Sequence, residues 1–307
     1  MANTSAPLYG GQALIEGVMI RARTAIAIAL RTPRGDITRH RQELPGWAQG
    51  RLRAVPFVRG ILILAESVVV GTRALNLATQ VHYEEEQQQQ AKHPNPVLER
   101  TMTVLTYLVV GVIAIGLFLV LPVVATSWIG DSGWLAVYAN LAEGAIRTAL
   151  ILGYIAALGL LKDVRRMYAY HGAEHKTIAA AEAGVELTPH NIAPFPKAHP
   201  RCGTAFLLTV AILGVLLISF TPREPLWILI TSRIVLIPLV MGIGYEVIRF
   251  ISLHSANPVA AVFNAPNLLT QRLTTREPDD QMLEVAIAAL QYARELDHSA
   301  TPGGKTQ

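Results

Sequence analysis

The sequence predicts a mainly α-helical, polytopic membrane protein: four transmembrane helices, a small N-terminal β-rich cytoplasmic unit and a C-terminal amphipathic helix. Three observations predict it. Of the 307 residues, 51% are apolar and 16% charged, with a mean hydropathy of +0.36, whereas a soluble domain is about 25% charged. The apolar residues gather in long runs with few ionisable groups. The basic residues fall on alternate sides of those runs. A chain this apolar is not disordered, and a single cysteine, Cys202, excludes a disulfide framework.

The first run, residues 103–129, reads TVLTYLVVGVIAIGLFLVLPVVATSWI without one ionisable group. It exceeds the ~20 residues that cross a hydrocarbon core of about 30 Å. The second span, 135–161, is interrupted by Asn140, Glu143 and Arg147. The third, 204–220, is clean but short, and the fourth, 226–251, contains Arg233 and Glu246. A fifth apolar stretch, Phe57 to Leu77, places Arg59, Glu66 and Arg73 seven residues apart. That is two helical turns, so the charges form a stripe on one face. With eight arginines ahead of it, the stretch is expected to lie on the membrane surface or against the bundle rather than to cross.

Twelve Lys and Arg precede the first span, and none lies in SWIGDSGW between the first and second. Lys162, Arg165, Arg166, Lys176, Lys197 and Arg201 separate the second from the third, but only Arg223 separates the third from the fourth. The excess predicts that both termini and the central loop face the cytoplasm. The net charge of +4 and pI near 9.3 then follow from topology, and no nucleic-acid partner is expected. No signal-peptide pattern opens the sequence, and a lone cytoplasmic cysteine fits a reducing compartment.

Residues 1–56 read as the β-rich unit. TAIAIALR and ITRHRQEL flank Thr32-Pro-Arg-Gly-Asp36, a turn between two strand-like runs. GGQALIEGVMIR ahead of them adds a strand, and Gly10 and Gly11 lack the remainder of a phosphate loop. Residues 57–102 comprise the amphipathic helix and the polar connector EEEQQQQ at 84–90. The tail, 252–307, holds a helix over about 278–296, opened by Pro278, Asp279 and Asp280 at its positive dipole end. Leu283, Ala286, Ile287 and Leu290 give that helix an apolar face for docking on the other cytoplasmic parts.

The membrane domain, 103–251, encloses the motif loop 162–203, which carries the chemistry. The helix of the second span is expected to continue into this loop and end at Gly184. His171 and His175 are four residues apart and share a helical face, so both imidazoles can reach one divalent metal ion, zinc by the ligand types. Glu174 completes an H-x-x-E-H pattern, in which the glutamate is the general base and not a ligand. Glu182, seven residues beyond His175, is a further candidate ligand. His199-Pro-Arg-Cys202 offers two more at the start of the third span. All of His171, His175, His199 and Cys202 on one ion would make a closed structural site; three would leave an open, catalytic one. The other reading is that these are interfacial polar residues bonded to headgroups or backbone. His190 and His254 read as ordinary surface histidines.

An ionisable group at membrane depth needs a partner or a function. Glu143 and Arg147 can pair at i,i+4. Glu143 and Arg233 both lie about 11 Å from the outer ends of their helices, at 1.5 Å per residue, which predicts an interhelical pair. The favoured reading is a structural pin; the other is a polar cavity for an ion or headgroup. Glu246 and Arg249 lie near the inner end of the fourth span, level with the histidine loop.

Five segments carry a resemblance: GGQALIEGVMIR at 10–21, YHGAEHKTI at 170–178, HPRCGTAF at 199–206, SRIVLIPLVMGIGYEVIR at 232–249 and TTREPDDQMLEVAIAAL at 274–290. They are similar to the YqhQ family of bacterial membrane proteins, over nearly the whole chain. The family is one of unknown function, sometimes labelled a predicted metal-dependent enzyme. The resemblance implies a bacterial inner-membrane protein whose motif residues include His171, Glu174, His175, His199, Cys202, Arg233 and Glu246. The expected function is a metal-dependent hydrolase with Glu174 as base and His171 and His175 as ligands, joined by Glu182, His199 or Cys202. The alternatives are a non-catalytic scaffold that recruits a protein partner at the cytoplasmic face, and a small carrier or lipid-binding bundle around Glu143 and Arg233. The bilayer is a partner in every case.

Overall fold

The computed structural model describes residues 9–89, 96–200, 202–254 and 257–299. Four strands come first: β1 (Gly11–Leu14), β2 (Gly17–Arg21), β3 (Ala25–Arg31) and β4 (Ile37–Glu43), antiparallel and adjacent in sequence order. The helices follow as α1 (Val58–Gln89), α2 (Pro96–Ile115), α3 (Leu121–Thr126), α4 (Gly133–Leu158), α5 (Lys162–Glu182) and α6 (Pro189–Ile192). The last are α7 (Gly203–Ser219), α8 (Leu226–Leu253), α9 (Pro258–Thr274) and α10 (Asp280–Ser299). A π-helical turn, Gly116–Val120, joins α2 to α3. The polar tract at 84–90 ends α1 as far as Gln89, and residue 90 lies outside the described residues.

Strand β3 alternates alanine with larger residues, and its two faces serve two different layers. Ile26, Ile28 and Leu30 pack with Leu14 and Met19 against Val70, Ala74 and Ala78 of α1. On the opposite face Ala27 and Ala29, with Val18 and Ile20 of β2, pack against α5 and α10. The alanines let α10 approach the sheet closely, and each large side chain buried contributes about 1.5–3 kcal/mol. The sheet is therefore the middle layer of a sandwich whose outer layers come from α1, α5 and α10. The 10–21 segment supplies two strands where one was expected.

Helix α10 starts where its sequence signals it. Asp279 Oδ1 accepts a hydrogen bond from Met282 N at 2.8 Å, capping the first turn. Leu283, Ala286, Leu290 and Ala293 are buried on the sheet side. Near its far end, Asp297 accepts from Arg23 N at 2.7 Å and from Tyr9 Oη at 3.1 Å.

Among the described residues, four helices are long and apolar enough to cross a membrane: Val58–Tyr83, Arg100–Thr126, Gly133–Leu158 and Leu226–Ile251. The chain is thus a mainly helical membrane protein, but this set differs from the four spans expected. Helix α7, the third expected span, has 17 residues, at the short end of what crosses a ~30 Å core, and packs against α4, α8 and α9. Helix α1 qualifies by length and composition, and part of its apolar surface is covered by protein. Its second half covers the sheet, and Gly60 near its start lies against Tyr245 of α8. The charge stripe on α1 is also paired. Glu66 is held by Arg21 at 2.7 Å and Arg53 at 2.8 Å, and Arg59 binds Glu246.

The expected continuation of the second span into the motif loop is broken. Helix α4 ends at Leu158, Gly159 N–H bonds back to Ile155 O, and α5 starts afresh at Lys162. At its far end α5 stops as expected. Gly184 takes φ +71°, with Gly184 N bonded to Ala181 O and Val185 N to Ala180 O, a Schellman motif. Helix α9 was not expected at all, because Pro266 and the polar Asn264, Asn267 and Gln271 obscure its periodicity.

The β1–β2 turn is locked onto α5. Glu16 sits in the left-handed region at φ +51°, and its carboxylate receives both Arg166 guanidinium nitrogens and, at 3.1 Å, the Tyr170 hydroxyl. Burial pushes the Glu16 carboxyl up, but Arg166 and Tyr170 outweigh it and hold it below its ordinary 4.5. A depressed carboxylate stabilises the fold above its unfolded pKa and loses that contribution as pH falls through the folded one. Glu16→Gln is therefore expected to lower stability at pH 7 by about 1–3 kcal/mol, nearer the lower figure because Arg166 is half in solvent. Thermal unfolding in detergent should show the wild type losing its advantage over the variant as pH drops below 4.5.

Candidate metal centre

Helix α5 brings the motif residues together because it is buried along most of its second half. Tyr168 to Tyr170 and Gly172 to Ile178 are buried, with His171 partly so. Gly172 is required by closeness. A Cβ there would stand 2.2 Å from the carbonyl oxygen of Arg276, so no larger residue allows the 274–278 segment to lie against the helix.

His171, His175 and Cys202 converge, with one potential ligand atom from each within 4.8 Å of the others. The separation between His171 Nε2 and Cys202 Sγ is 3.2 Å. Ligand atoms around zinc stand roughly 3.5 Å apart given bonds of about 2.0–2.3 Å, so shifts of about 1 Å or less in side-chain position bring the three atoms onto one ion. The donor chemistry fits a metal in a second respect. His171 Nδ1 lies 2.9 Å from Thr274 O, and His175 Nδ1 lies 2.7 Å from Lys197 O. A carbonyl only accepts, so each Nδ1 carries its proton and each Nε2 keeps a lone pair. Metal-binding histidines are oriented in this way.

Glu174 does not join the three. Its buried carboxylate turns to the sheet and accepts a hydrogen bond from Gly11 N. Gly11 is the close approach that admits it, since a Cβ there would meet Glu174 Oε1 at 3.1 Å and Met19 O at 2.3 Å. Burial pushes the Glu174 carboxyl up to about 7, with the neighbouring His171 and the Gly11 bond pulling the other way.

His199 and Glu182 stand beside the group. The His199 ring is 5.8 Å from that of His175, centroid to centroid, and its Nε2 is 3.5 Å from Glu182 Oε2. Burial, then the neighbouring His175, pulls the His199 imidazole down to about 4. His199 is therefore neutral at pH 7, and its contact with Glu182 is not an ion pair. Gln271 of α9 clasps the His199 backbone from both sides, accepting from His199 N at 2.8 Å and donating to His199 O at 2.9 Å. Lys176, buried on α5, donates to Ala193 O at 2.6 Å and pairs with Glu277. His190 is exposed, and His254 is an exposed residue at the end of α8.

The intramembrane charges form a separate cluster. Glu143 is fully buried and pairs with Arg233 at 3.2 Å and with Arg147 at 2.8 Å. A third arginine, Arg223, joins at 2.9 Å, reaching Asn140 Oδ1 at 3.0 Å and Thr126 Oγ1 at 3.2 Å as well. Sequence reasoning counted Arg223 only as a loop charge. Glu246 serves α1 instead, accepting from Arg59 Nε at 2.7 Å and from Phe57 N at 3.1 Å, with Arg249 in electrostatic range.

Gln271, Thr274, Lys197, Gly11 and Gly172 were missed in the sequence. Four of them act through backbone groups or through lacking a side chain, which leaves no chemical signature in a residue type.

Fold and site together define a helical membrane protein with a buried His–His–Cys cluster beside its apolar bundle. The chain belongs to the family described as protein of unknown function (DUF1385), which matches residues 55–296. It is also similar to the uncharacterized protein YqhQ of Bacillus subtilis (strain 168), with 31% identity over 302 residues, covering 95% of this chain and 93% of that protein. No solved structure matches the chain.

Removing the carboxylate from the membrane cluster leaves three guanidinium groups without their shared partner. Glu143→Ala is expected to cost about 3–5 kcal/mol, the usual result of orphaning a buried charge. A clear drop in the unfolding temperature of the detergent-solubilised protein checks it, with no change in metal content.

Proposed function

We propose that this chain is a metal-dependent hydrolase of the bacterial inner membrane, with a divalent ion, zinc by its donor set, held by His171, His175 and Cys202. The observation that carries the reading is the pair of Nδ1–carbonyl hydrogen bonds. They set both imidazoles in one tautomer, with His171 Nε2 3.2 Å from Cys202 Sγ. Any buried imidazole N–H takes such an acceptor; what points to a metal is that both rings so oriented also lie in one group with the Cys202 thiol.

Three protein ligands leave one position for water, the arrangement of catalytic rather than structural sites. A bound ion supplies an activated water at neutral pH. Glu174, one residue from a ligand and outside the ligand group, is the base of this reading; to take the proton its carboxylate has to turn from Gly11 N–H toward the ligand group. His199, neutral and clasped by Gln271, stands next to His175 as a hydrogen-bonding side chain. The excess of Lys and Arg in the central loop and before the first apolar run supports a site facing the cytoplasm.

Elemental analysis of the purified full-length protein tests the reading. Stoichiometric zinc or another divalent metal is expected, lost in the His171→Ala, His175→Ala double variant. Metal-free wild-type protein overturns the proposal. Glu174→Gln should retain the metal, and loss of metal there would make Glu174 a ligand instead. Gly172→Ala pushes α5 off the Arg276 carbonyl and so displaces the segment that orients His171. It should weaken metal affinity by about 10–100-fold, the usual effect of disturbing a ligand's hydrogen-bond partner, as measured by competition with a chromogenic chelator.

A further inference from the structure

Next to the His–His–Cys cluster lies an apolar pocket of about 30 Å³, walled by Ile151, Leu152 and Ile155 of α4, Leu208 and Ala211 of α7, and Leu273 of α9. Three threonines complete the wall, and each spends its hydroxyl on its own helix. Thr148 donates to Gly144 O at 2.8 Å, Thr270 to Asn267 O at 2.9 Å and Thr274 to Gln271 O at 3.5 Å. A buried water needs two to four polar partners, and this wall offers none. The pocket suits hydrocarbon.

Its position says which hydrocarbon. Helix α4 is long and apolar enough to cross a membrane, so lipid is the medium outside it. Ile151, Leu152 and Ile155, the α4 wall of the pocket, and Leu208 and Ala211 opposite them are only half-buried, which makes the pocket continuous with the lipid-facing surface. The inner side of the pocket is one hydrogen bond from the candidate metal centre. Thr274 lines it, and the carbonyl of the same residue holds His171 Nδ1. Ile155 lines it too, and its carbonyl accepts from Tyr168 Oη, on α5 one turn before His171.

We propose that this pocket seats an acyl chain of a bilayer lipid, and that the substrate of the metal centre is the polar head of that lipid. The chain site rests on the pocket; the substrate assignment rests on the hydrolase reading above. A volume of about 30 Å³ is roughly that of one water in the liquid, so the pocket seats the chain at one point, about one methylene group. The rest of the chain stays in the bilayer beside α4. No charged side chain lines the pocket, so the headgroup has no partner there and is left at the level of His171.

The test uses the full-length protein in nanodiscs of phosphatidylethanolamine and phosphatidylglycerol. These are doped with a phosphatidylglycerol that carries a photoreactive diazirine on its acyl chain. After irradiation, adducts mapped by mass spectrometry should concentrate on Ile151, Ala211 and Leu273, above the level at Leu108 and Val112, exposed residues of α2. Ala211→Phe and Leu273→Phe each fill the pocket and should remove that excess while leaving the α2 adducts unchanged. Pocket adducts no denser than those on α2, or an excess that survives both substitutions, overturn the chain site. Metal content of the same preparations keeps the two readings apart. Labelling in metal-free protein sustains the chain site and overturns the substrate assignment with the hydrolase; metal-replete protein without pocket labelling overturns the chain site alone.

Discussion

A polar helix buried on nearly every side sets the constraint that the rest of this structure satisfies. Between Tyr168 and Ala180, α5 carries His171, Glu174, His175, Lys176 and Thr177 into the interior. A buried polar group without a partner costs roughly 1–3 kcal/mol, and a charged one more. Each of the first four is met from a different part of the chain: Thr274 O, Gly11 N–H, Lys197 O and Ala193 O. Thr177 Oγ1 is the exception. To supply these partners the sheet must lie on one side of α5, the 193–202 loop on another and the end of α9 on a third. Gly11 and Gly172 are the two places where that crowding leaves no room for a Cβ. The helix that carries the chemistry therefore organises the layers around itself.

The membrane cluster answers the same demand in a lower dielectric. Charges are costly at that depth, and the bundle meets the cost by sharing. One carboxylate, Glu143, takes three guanidinium groups, while Asn140 and Thr126 absorb part of the remaining hydrogen-bonding capacity. The cluster ties α3 and α4 to the α7–α8 connection and to α8 itself. With every one of these groups turned to protein, the arrangement matches a pin better than a passage for an ion. The apolar pocket, two to three turns of α4 nearer the metal-centre end, has the opposite character, because its threonine hydroxyls are all turned away.

Much of the candidate site was legible in the sequence. The i,i+4 histidines, the glutamate between them and the His-Pro-Arg-Cys segment are chemistry-bearing types at short spacing, and helical geometry needs nothing further to bring the two histidines together. Glu143 and Arg233 were legible as a pair because depth in a bilayer follows from counting residues. The second tier was not. Gln271 lies in a helix whose periodicity Pro266 disrupts, and Thr274 and Lys197 act through carbonyls that every residue possesses. Arg223 sits in a short connection where a single cation reads as a solvated loop charge, yet it is 5% exposed.

By itself the sequence determined the medium and the local elements. Long uncharged runs require lipid or a large interior, the Ala/Ile alternation requires a strand with two distinct faces, and Asp279 and Gly184 terminate helices through local hydrogen bonding. Tertiary structure alone decided how those elements are used. Helix α1 is apolar enough to cross a membrane and also covers the sheet, whereas the short α7 packs against three other helices, α4, α8 and α9. The H-x-x-E-H carboxylate faces a strand more than 150 residues earlier in the chain. The physical reason is the same throughout. Propensity and periodicity are properties of neighbours along the chain, but burial of an apolar face and satisfaction of a polar group are completed by whichever distant segment can reach, and no local pattern records which one that is.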